Sequence, residues 1–482
     1  MSATIPPPPT ARRPVRLVIV GALLAMLLAM LDTAVVGTAM PRIVAQLGGL
    51  AQAAWVVIVY TLLFAVSTPV WGKLGDWWHR KSVFLTAIAL FLTGSLLAGL
   101  AWSMAALIAF RALQGLGAGG IVVNASAIIG ALVAPRERGR YQGMIASTMA
   151  IGIIGGPLLG GVISETLSWR WAFLVNIPLG LLAIAWTWWL LDLPSQRRPV
   201  RIDYWGSATL AVTVTALVLI VSWGGVEYPW LSPPILGAAA AAIAGLGAFL
   251  VVERRAREPV LPLRFFGSRT MVVTTLTALV VGVTMFSATL YLPLFQQTVQ
   301  GLSAANSGLL LLPMMIPLVL VSHLTGKLMS ATGRYKIFFV LGGLAGTSGA
   351  ALLAMVDAHT GRPILALAMA MLGIGLGCTM QLTVTIAQNS VGLADIGAAT
   401  GVTTLFRTMG GSVGLALSGA LFAQAVRGHD RGEGASYLDS FATGIGRVFL
   451  VTTIICAIGF AISFLVEEIP LRTTNSAAPV KR

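Results

Sequence analysis

The chain has 482 residues, 57% of them hydrophobic and only 10% charged, with a formal net charge of +15. A soluble domain carries about a quarter charged residues, so this composition excludes a water-soluble globular protein. The positive charge would suit nucleic acid, but its placement along the chain assigns it to a membrane surface instead.

In chain order, a tail over residues 1–16 containing "IPPPPTARRP" reads as disordered, and fourteen apolar runs follow. They lie at approximately 17–40, 52–72, 82–102, 104–128, 141–164, 171–191, 204–224, 233–252, 270–295, 304–327, 335–356, 363–388, 397–424 and 443–466. Each is near the roughly 20 residues that cross hydrocarbon as a helix. Strands are a poor reading, because the runs are too long and do not alternate polar with apolar. The first run follows arginines, as a signal peptide would. It is too long for one, contains Asp32 and lacks a small-residue cleavage site, so it reads as a retained span.

With the N-terminus inside, 23 of the 31 basic residues fall in cytoplasmic segments, six lie outside, and Arg111 and Arg407 stand within spans. This is the positive-inside bias, and an even span count puts both termini in the cytoplasm. The expected location is the cell (cytoplasmic, or inner) membrane, with no nucleic-acid partner. Cys378 and Cys456 both fall in apolar spans and offer neither a disulfide framework nor a metal spacing.

After span 2 comes "GKLGDWWHRK" (72–81), and after span 10 comes "GKLMSATGRYK" (326–336). An offset of 254 aligns Gly72 with Gly326, Lys73 with Lys327, Leu74 with Leu328 and Arg80 with Arg334, and carries Gly156 onto Gly410. The expected architecture is an all-α polytopic membrane protein of two parallel six-helix repeats, residues 17–200 and 257–468. An inserted two-helix hairpin would occupy 201–256, and a cytoplasmic tail 469–482.

Asp32, in "LLAMLDTAVVGTAMP", is the one acidic residue well inside a span. It stands about eight residues from the outer end of span 1, and Arg111 in "FRALQGLGAGG" lies at similar depth in span 4. Intramembrane ionisable groups usually face a bundle interior and mark ion or substrate paths. Burial favours the neutral carboxyl and a nearby guanidinium the charged one, so a carboxylate between these influences can exchange a proton as the protein changes shape. A static ion pair locking spans 1 and 4 is the competing reading, at even weight.

Arg407, mid-span in "LFRTMGGSVG", has no acidic partner in the second repeat. Helix carbonyls, Gln296 and Gln297 of "LFQQTVQ", or an anionic substrate group are its candidate contacts. In span 5, "GIIGGPLLGG" spaces glycines for close helix approach around Pro157, either as a seam between the moving bundles or as static packing. Asp76, with Arg80 and Lys81 beyond it, can pair with helix ends at the cytoplasmic face. "GLGAGG" fits G-x-G-x-x-G but follows no strand, and no G-x-x-x-x-G-K-[ST] loop exists, so neither a dinucleotide nor ATP is implied.

These stretches together resemble the major facilitator superfamily, specifically its fourteen-span drug:proton antiporters. "LDTAVVGTAMPRI" resembles the span 1 motif at Asp32, Thr33 and Pro41. "GKLGDWWHRK" resembles the gating-loop motif at Gly72, Gly75, Asp76, Arg80 and Lys81. "RALQGLGAGG" resembles the span 4 motif, whose arginine, here Arg111, is implicated in proton transfer. "GIIGGPLLGG" resembles the antiporter motif at Gly152, Gly156, Pro157, Gly160 and Gly161. "WRWAFLVNIPLG" and "LFRTMGGSVG" are further family features. His79 departs from the family's usual glycine, which implies a left-handed position that histidine must adopt. The C-terminal copy has Gly333 there, and Ser330 in place of the aspartate.

The resemblance implies no enzyme and no cofactor. It implies a proton-coupled multidrug exporter of amphipathic small molecules, working by alternating access with protons and the bilayer as its other partners. Some relatives export lipids or self-made metabolites, which is the alternative. A membrane sensor or a channel belongs to a different class and fits less well: no segment is long enough for an output domain, and a channel needs no duplicated gating loop.

Overall fold

The computed structural model describes residues 15–49, 52–191, 203–225, 227–256, 258–302, 309–426, 435–468 and 471. The N-terminal tail up to residue 14, the basic segment "SQRRPVR" and the C-terminal arginines lie outside them. Fourteen helical spans long and apolar enough to cross a membrane occur among the described residues, one for each expected run. The fold is all-α, as expected, with two helix bundles and a hairpin.

The first bundle comprises α1 (Val15–Leu47), α2 (Ala53–Trp77), α3 (Arg80–Gly99), α4 (Met104–Leu132), α5 (Pro135–Thr166), the single turn α6 (Trp171–Leu174) and α7 (Asn176–Leu190). The hairpin is α8 (Tyr204–Trp223) and α9 (Pro233–Arg255). The second bundle is α10 (Arg269–Thr298), α11 (Leu312–Thr332), α12 (Lys336–Ala354), α13 (Arg362–Asn389), α14 (Ile396–Val426) and α15 (Ala435–Ser463). Span 6 is thus interrupted, with Val175 between α6 and α7, and α1 runs seven residues past its expected end at 40, to Leu47.

Local chemistry sets these limits. Ser103 caps α4 by accepting from the Ala106 amide, and Asp203 caps α8 by accepting from the Gly206 amide, each satisfying a donor the helix cannot. Pro135 and Pro233 open α5 and α9, where their missing N–H costs nothing. Gly333 closes α11 at φ +73, while His79 enters α3 at φ −63. The implied left-handed histidine is therefore not what forms, and the first copy of the loop turns through extended backbone. Within the spans, Thr274, Thr275 and Thr277 each donate to the carbonyl four residues back, which keeps hydroxyls satisfied away from water. Exposed Trp188, Trp189, Tyr204 and Trp205 ring one end, and Trp102, Trp171 and Trp230 the other, as aromatic belts do at the two membrane surfaces.

Inter-bundle contacts repeat about a pseudo-twofold axis. Gly72 meets Gly397 and Pro69 meets Gly401, while Gly326 meets Gly139 and His323 meets Gly143. Residues of α2 and α11 are related by 254, as the sequence indicates. Those of α5 and α14 are related by 258, from Gly139 to Gly397 and from Gly143 to Gly401. The expected pairing of Gly156 with Gly410 is therefore off by one helical turn. Gly152 packs on Met30 as Gly410 packs on Leu279, and Gly156 packs on Ala34 as Gly414 packs on Val283. The α1 to α10 offset is accordingly 249, and Gly156 corresponds to Gly414.

The hairpin lies against one flank of the bundle interface. Leu210, Val214 and Val218 of α8 and Phe249 of α9 join Leu62 and Val66 of α2 and Ala398 and Val402 of α14 in one buried cluster. On the opposite flank, between α5 and α11, a cavity of about 490 Å³ is lined by Ile151, Ile154, Gly155, Met315, Ile316 and Leu320, among others.

Candidate functional site

Asp32 is 1% exposed and Arg111 is fully buried. Arg111 Nη1 bonds to Asp32 Oδ2 in an ion pair. Gln114 Nε2 and Asn176 Nδ2 donate to Asp32 Oδ1 at 2.7 and 2.9 Å. The set is tied together: Arg111 Nη1 also donates to Gln114 Oε1 at 2.8 Å, Asn176 Nδ2 to Ser95 Oγ at 2.9 Å, and Arg111 Nε to the Val56 carbonyl at 3.2 Å. The guanidinium lies 4.0 Å from the Tyr60 ring centroid, a cation–π contact, and Tyr60 donates its hydroxyl proton to the Ala29 carbonyl. One donor nitrogen, Arg111 Nη2, has no hydrogen-bond partner among the described residues. Donors converge on both carboxylate oxygens, which suits the acceptor-only ionised form.

Gln114, Asn176, Tyr60 and Ser95 are absent from the sequence-based site. Gln114 was legible, three residues from Arg111 and so on the same helix face. Asn176 lies in "WRWAFLVNIPLG" and is brought to Asp32 where α7 begins.

At the face where α1 begins and α15 ends the bundles are shut. Asp76 accepts from the Gly397 and Ala398 amides, both at 2.8 Å, where the positive end of the α14 dipole favours an anion. Arg80 pairs with Asp76 and donates to the Ala127 carbonyl at 2.7 Å. Gly72 and Gly397 bring backbones into direct contact; a methyl on either would collide with the other's carbonyl. Gly75 lies against the Asn124 side chain. The mirror-related contact uses different chemistry: Arg136, at the start of α5, donates to the Ser330 and Ala331 carbonyls at 3.0 and 3.1 Å, at the negative end of α11.

Lys81 takes no part in this closure; its ammonium bonds to the Trp188 carbonyl at 2.6 Å, toward α7. Gly152, Gly156 and Gly160 bring α5 onto α1, against Met30, Ala34 and Val35. They form a seam inside the first bundle, not between the bundles, and Gly161 faces open space. Pro157 lies inside α5 between these contacts. Gln296 is 7% exposed and reaches the Met369 sulfur at 3.7 Å, with its Oε1 unpaired. It does not meet Arg407: Gly282 sits at the Arg407 carbonyl, and Gln296 lies about 21 Å further along α10 at 1.5 Å per residue. Gln297 is half-buried beside it. No cluster of three metal-ligating side chains occurs among the described residues.

Two apolar helix bundles related by a pseudo-twofold axis and closed against each other at one end, with a buried ion pair inside the first, define a transporter of the two-bundle class. The chain belongs to the Major Facilitator Superfamily, whose family description matches residues 22–415. It is 37% identical, over 94% of its length and 69% of the relative's, to an uncharacterized MFS-type transporter of Mycobacterium tuberculosis. It is 35% identical to the multidrug transporter protein MdtP of Bacillus subtilis, over 84% of this chain and 75% of that one. Among solved structures, the human organic anion transporter MFSD10 superposes with a TM-score of 0.63 at 14% identity, covering 92% of this chain and all of the other. The proton:xylose symporter XylE gives 0.60, also at 14% identity, over 91% and 94%.

Proposed function

We propose that this transporter is an exporter that couples proton entry to the expulsion of amphipathic small molecules across the cell membrane, with both termini in the cytoplasm. The observation that carries this reading is the Asp32 cluster. An acid buried at 1% exposure and held by Arg111, Gln114 and Asn176 is a group whose protonation depends on whether those donors stay in place. On this orientation the closed face is the cytoplasmic one, and the conformation described is shut toward the cell interior.

A proton arriving on Asp32 from outside releases Arg111. The freed guanidinium and the neutral carboxyl then favour the rearrangement that opens the cytoplasmic end, which needs Asp76 to leave the α14 terminus. Proton loss inside restores the ion pair and resets the cycle. Each pH unit supplies about 1.36 kcal/mol per proton, and the membrane potential about 2.3 kcal/mol per 100 mV. The Bacillus subtilis relatives named multidrug transporter protein MdtP and multidrug resistance protein 3 support small-molecule export. The apolar cavity between α5 and α11 favours one second reading, export of lipids or lipid-like metabolites.

Asp32→Asn in proteoliposomes is the test. Gradient-driven transport is expected to fall at least 100-fold while gradient-free solute exchange continues. Coupled transport at the wild-type rate in that variant sinks the assignment.

A further inference from the structure

Asp32, Arg111 and Arg407 are buried or half-buried well inside their spans, whereas Arg447 is exposed on α15 and His323 packs on Gly143. The first two neutralise one another, and Gln114 and Asn176 donate to the other oxygen of Asp32. No interior acid is left for a cationic solute. Arg407 is different. It is enclosed by protein, yet it keeps solvent-accessible surface and has no hydrogen-bond or ion-pair partner among the described residues.

The pseudo-twofold axis shows which way it looks. At the offset of 258, Arg407 is the counterpart of Met149. The Met149 sulfur reaches across the bundle interface to accept from Gln381 Nε2 at 3.8 Å, so this position on α5 faces the opposing bundle. The equivalent position on α14 faces back toward the first one, and Arg407 therefore projects into the space between them. One turn further along α14, the Phe286 ring packs on Gly411.

We propose that Arg407 is the headgroup-binding residue of the solute path, and that the transported solute is an amphipathic organic anion bearing a carboxylate, sulfonate or phosphate. A guanidinium presents a planar fork of donors that matches two oxygens of such a group. With no protein acceptor to displace, the anion replaces only water. The proposal rests on the export reading above and names its substrate class.

The experiment is gradient-free counterflow with full-length protein in proteoliposomes, using two permanently charged probes of one shape, naphthalene-1-sulfonate and (1-naphthylmethyl)trimethylammonium. Because no proton gradient is applied, failure of proton coupling leaves this exchange untouched and shows only in gradient-driven transport. The wild type is expected to exchange the sulfonate. Arg407→Met, which installs the residue of its mirror position, is expected to raise the half-saturation concentration for the sulfonate at least tenfold with no such rise for the ammonium. Arg407→Lys, which keeps the charge without the fork, is expected to raise the sulfonate half-saturation concentration by less than the Met variant does and to leave the ammonium unchanged. Displacement of the sulfonate by dioctanoyl phosphatidylglycerol assigns the natural headgroup to a lipid, and resistance to it assigns a free solute; either outcome agrees with an anion site. Exchange of the ammonium but not the sulfonate by the wild type overturns the proposal, as does exchange of neither. An equal loss of both probes in the Lys variant, or an unchanged sulfonate affinity in the Met variant, overturns it as well.

Discussion

The interior of the first bundle and its mirror image in the second are built on the same backbone plan with opposite chemistry. Gly115 packs on Tyr60 and Gly119 on Phe64, as Gly373 packs on Met314 and Gly377 on Leu318. Through these contacts Asp32 corresponds to Val281, Arg111 to Met369, Gln114 to Leu372 and Tyr60 to Met314. All four residues on the second-bundle side are buried at 3% exposure or less and belong to a hydrophobic core. The fold therefore closes around aliphatic side chains alone. A buried ion pair is weak evidence for stability, since well-packed apolar residues of similar volume often do as well or better. What the first bundle gains from its charges has to be sought in the working cycle.

The sharpest way to break this comparison is to copy one half into the other. The triple variant Asp32→Val, Arg111→Met, Gln114→Leu reproduces the second-bundle interior. It is expected to abolish gradient-driven transport, measured in proteoliposomes, while melting within about 2 kcal/mol of the wild type in detergent. Arg111→Met alone should destabilise by about 3–5 kcal/mol, because it strands an unpaired buried carboxylate. A thermal-shift series comparing the single and triple variants reads this reversal. A single variant as stable as the triple would overturn the expected cost of leaving Asp32 without its partner.

The two latches on the closed face give a smaller contrast of the same kind. Asp76→Asn keeps the shape but removes the charge from two amide bonds and the Arg80 pair, a loss of about 1.5–3 kcal/mol from the closed state. Labelling of a single cysteine placed at Ala127 should speed up accordingly. Arg136→Ala removes an exposed contact with the α11 carbonyls, worth about 0.3–1 kcal/mol, and should have a several-fold smaller effect in the same assay. Glu258→Gln, which breaks the Lys73 contact at 3.4 Å with a half-exposed partner, is expected to change melting by less than about 1 kcal/mol.

Spans, duplication and the Asp32–Arg111 pairing were legible because hydropathy, the repeated "GKL" and the rarity of buried charge are strong one-dimensional signals. The neutral partners were not. Gln114 and Asn176 carry no charge to set them apart, and Asn176 reaches Asp32 only because span 6 breaks at Val175. The repeat was read with one offset, but four extra residues separate α11 from α14 relative to α2 and α5, so Gly156 was paired one turn too early, with Gly410 in place of Gly414. Lys81 shared a motif with Asp76 but left the interface, since α3 turns its first residues toward α7. Glycine spacing announced close packing without saying which helix would fill it, and the neighbour is α1.

The placement of α8 and α9 gives the molecule a front and a back within the plane of the bilayer. One side of the bundle junction is walled by the hairpin, through Trp55 against Trp223 and the cluster around Val214. The other side presents Ile151, Ile316 and Leu320 directly to acyl chains. One flank of the junction is thus blank, and the other leaves an apolar recess open to approach from the bilayer. A neighbouring protein crowding α5 and α11 would obstruct that approach, while one resting on α9 would not.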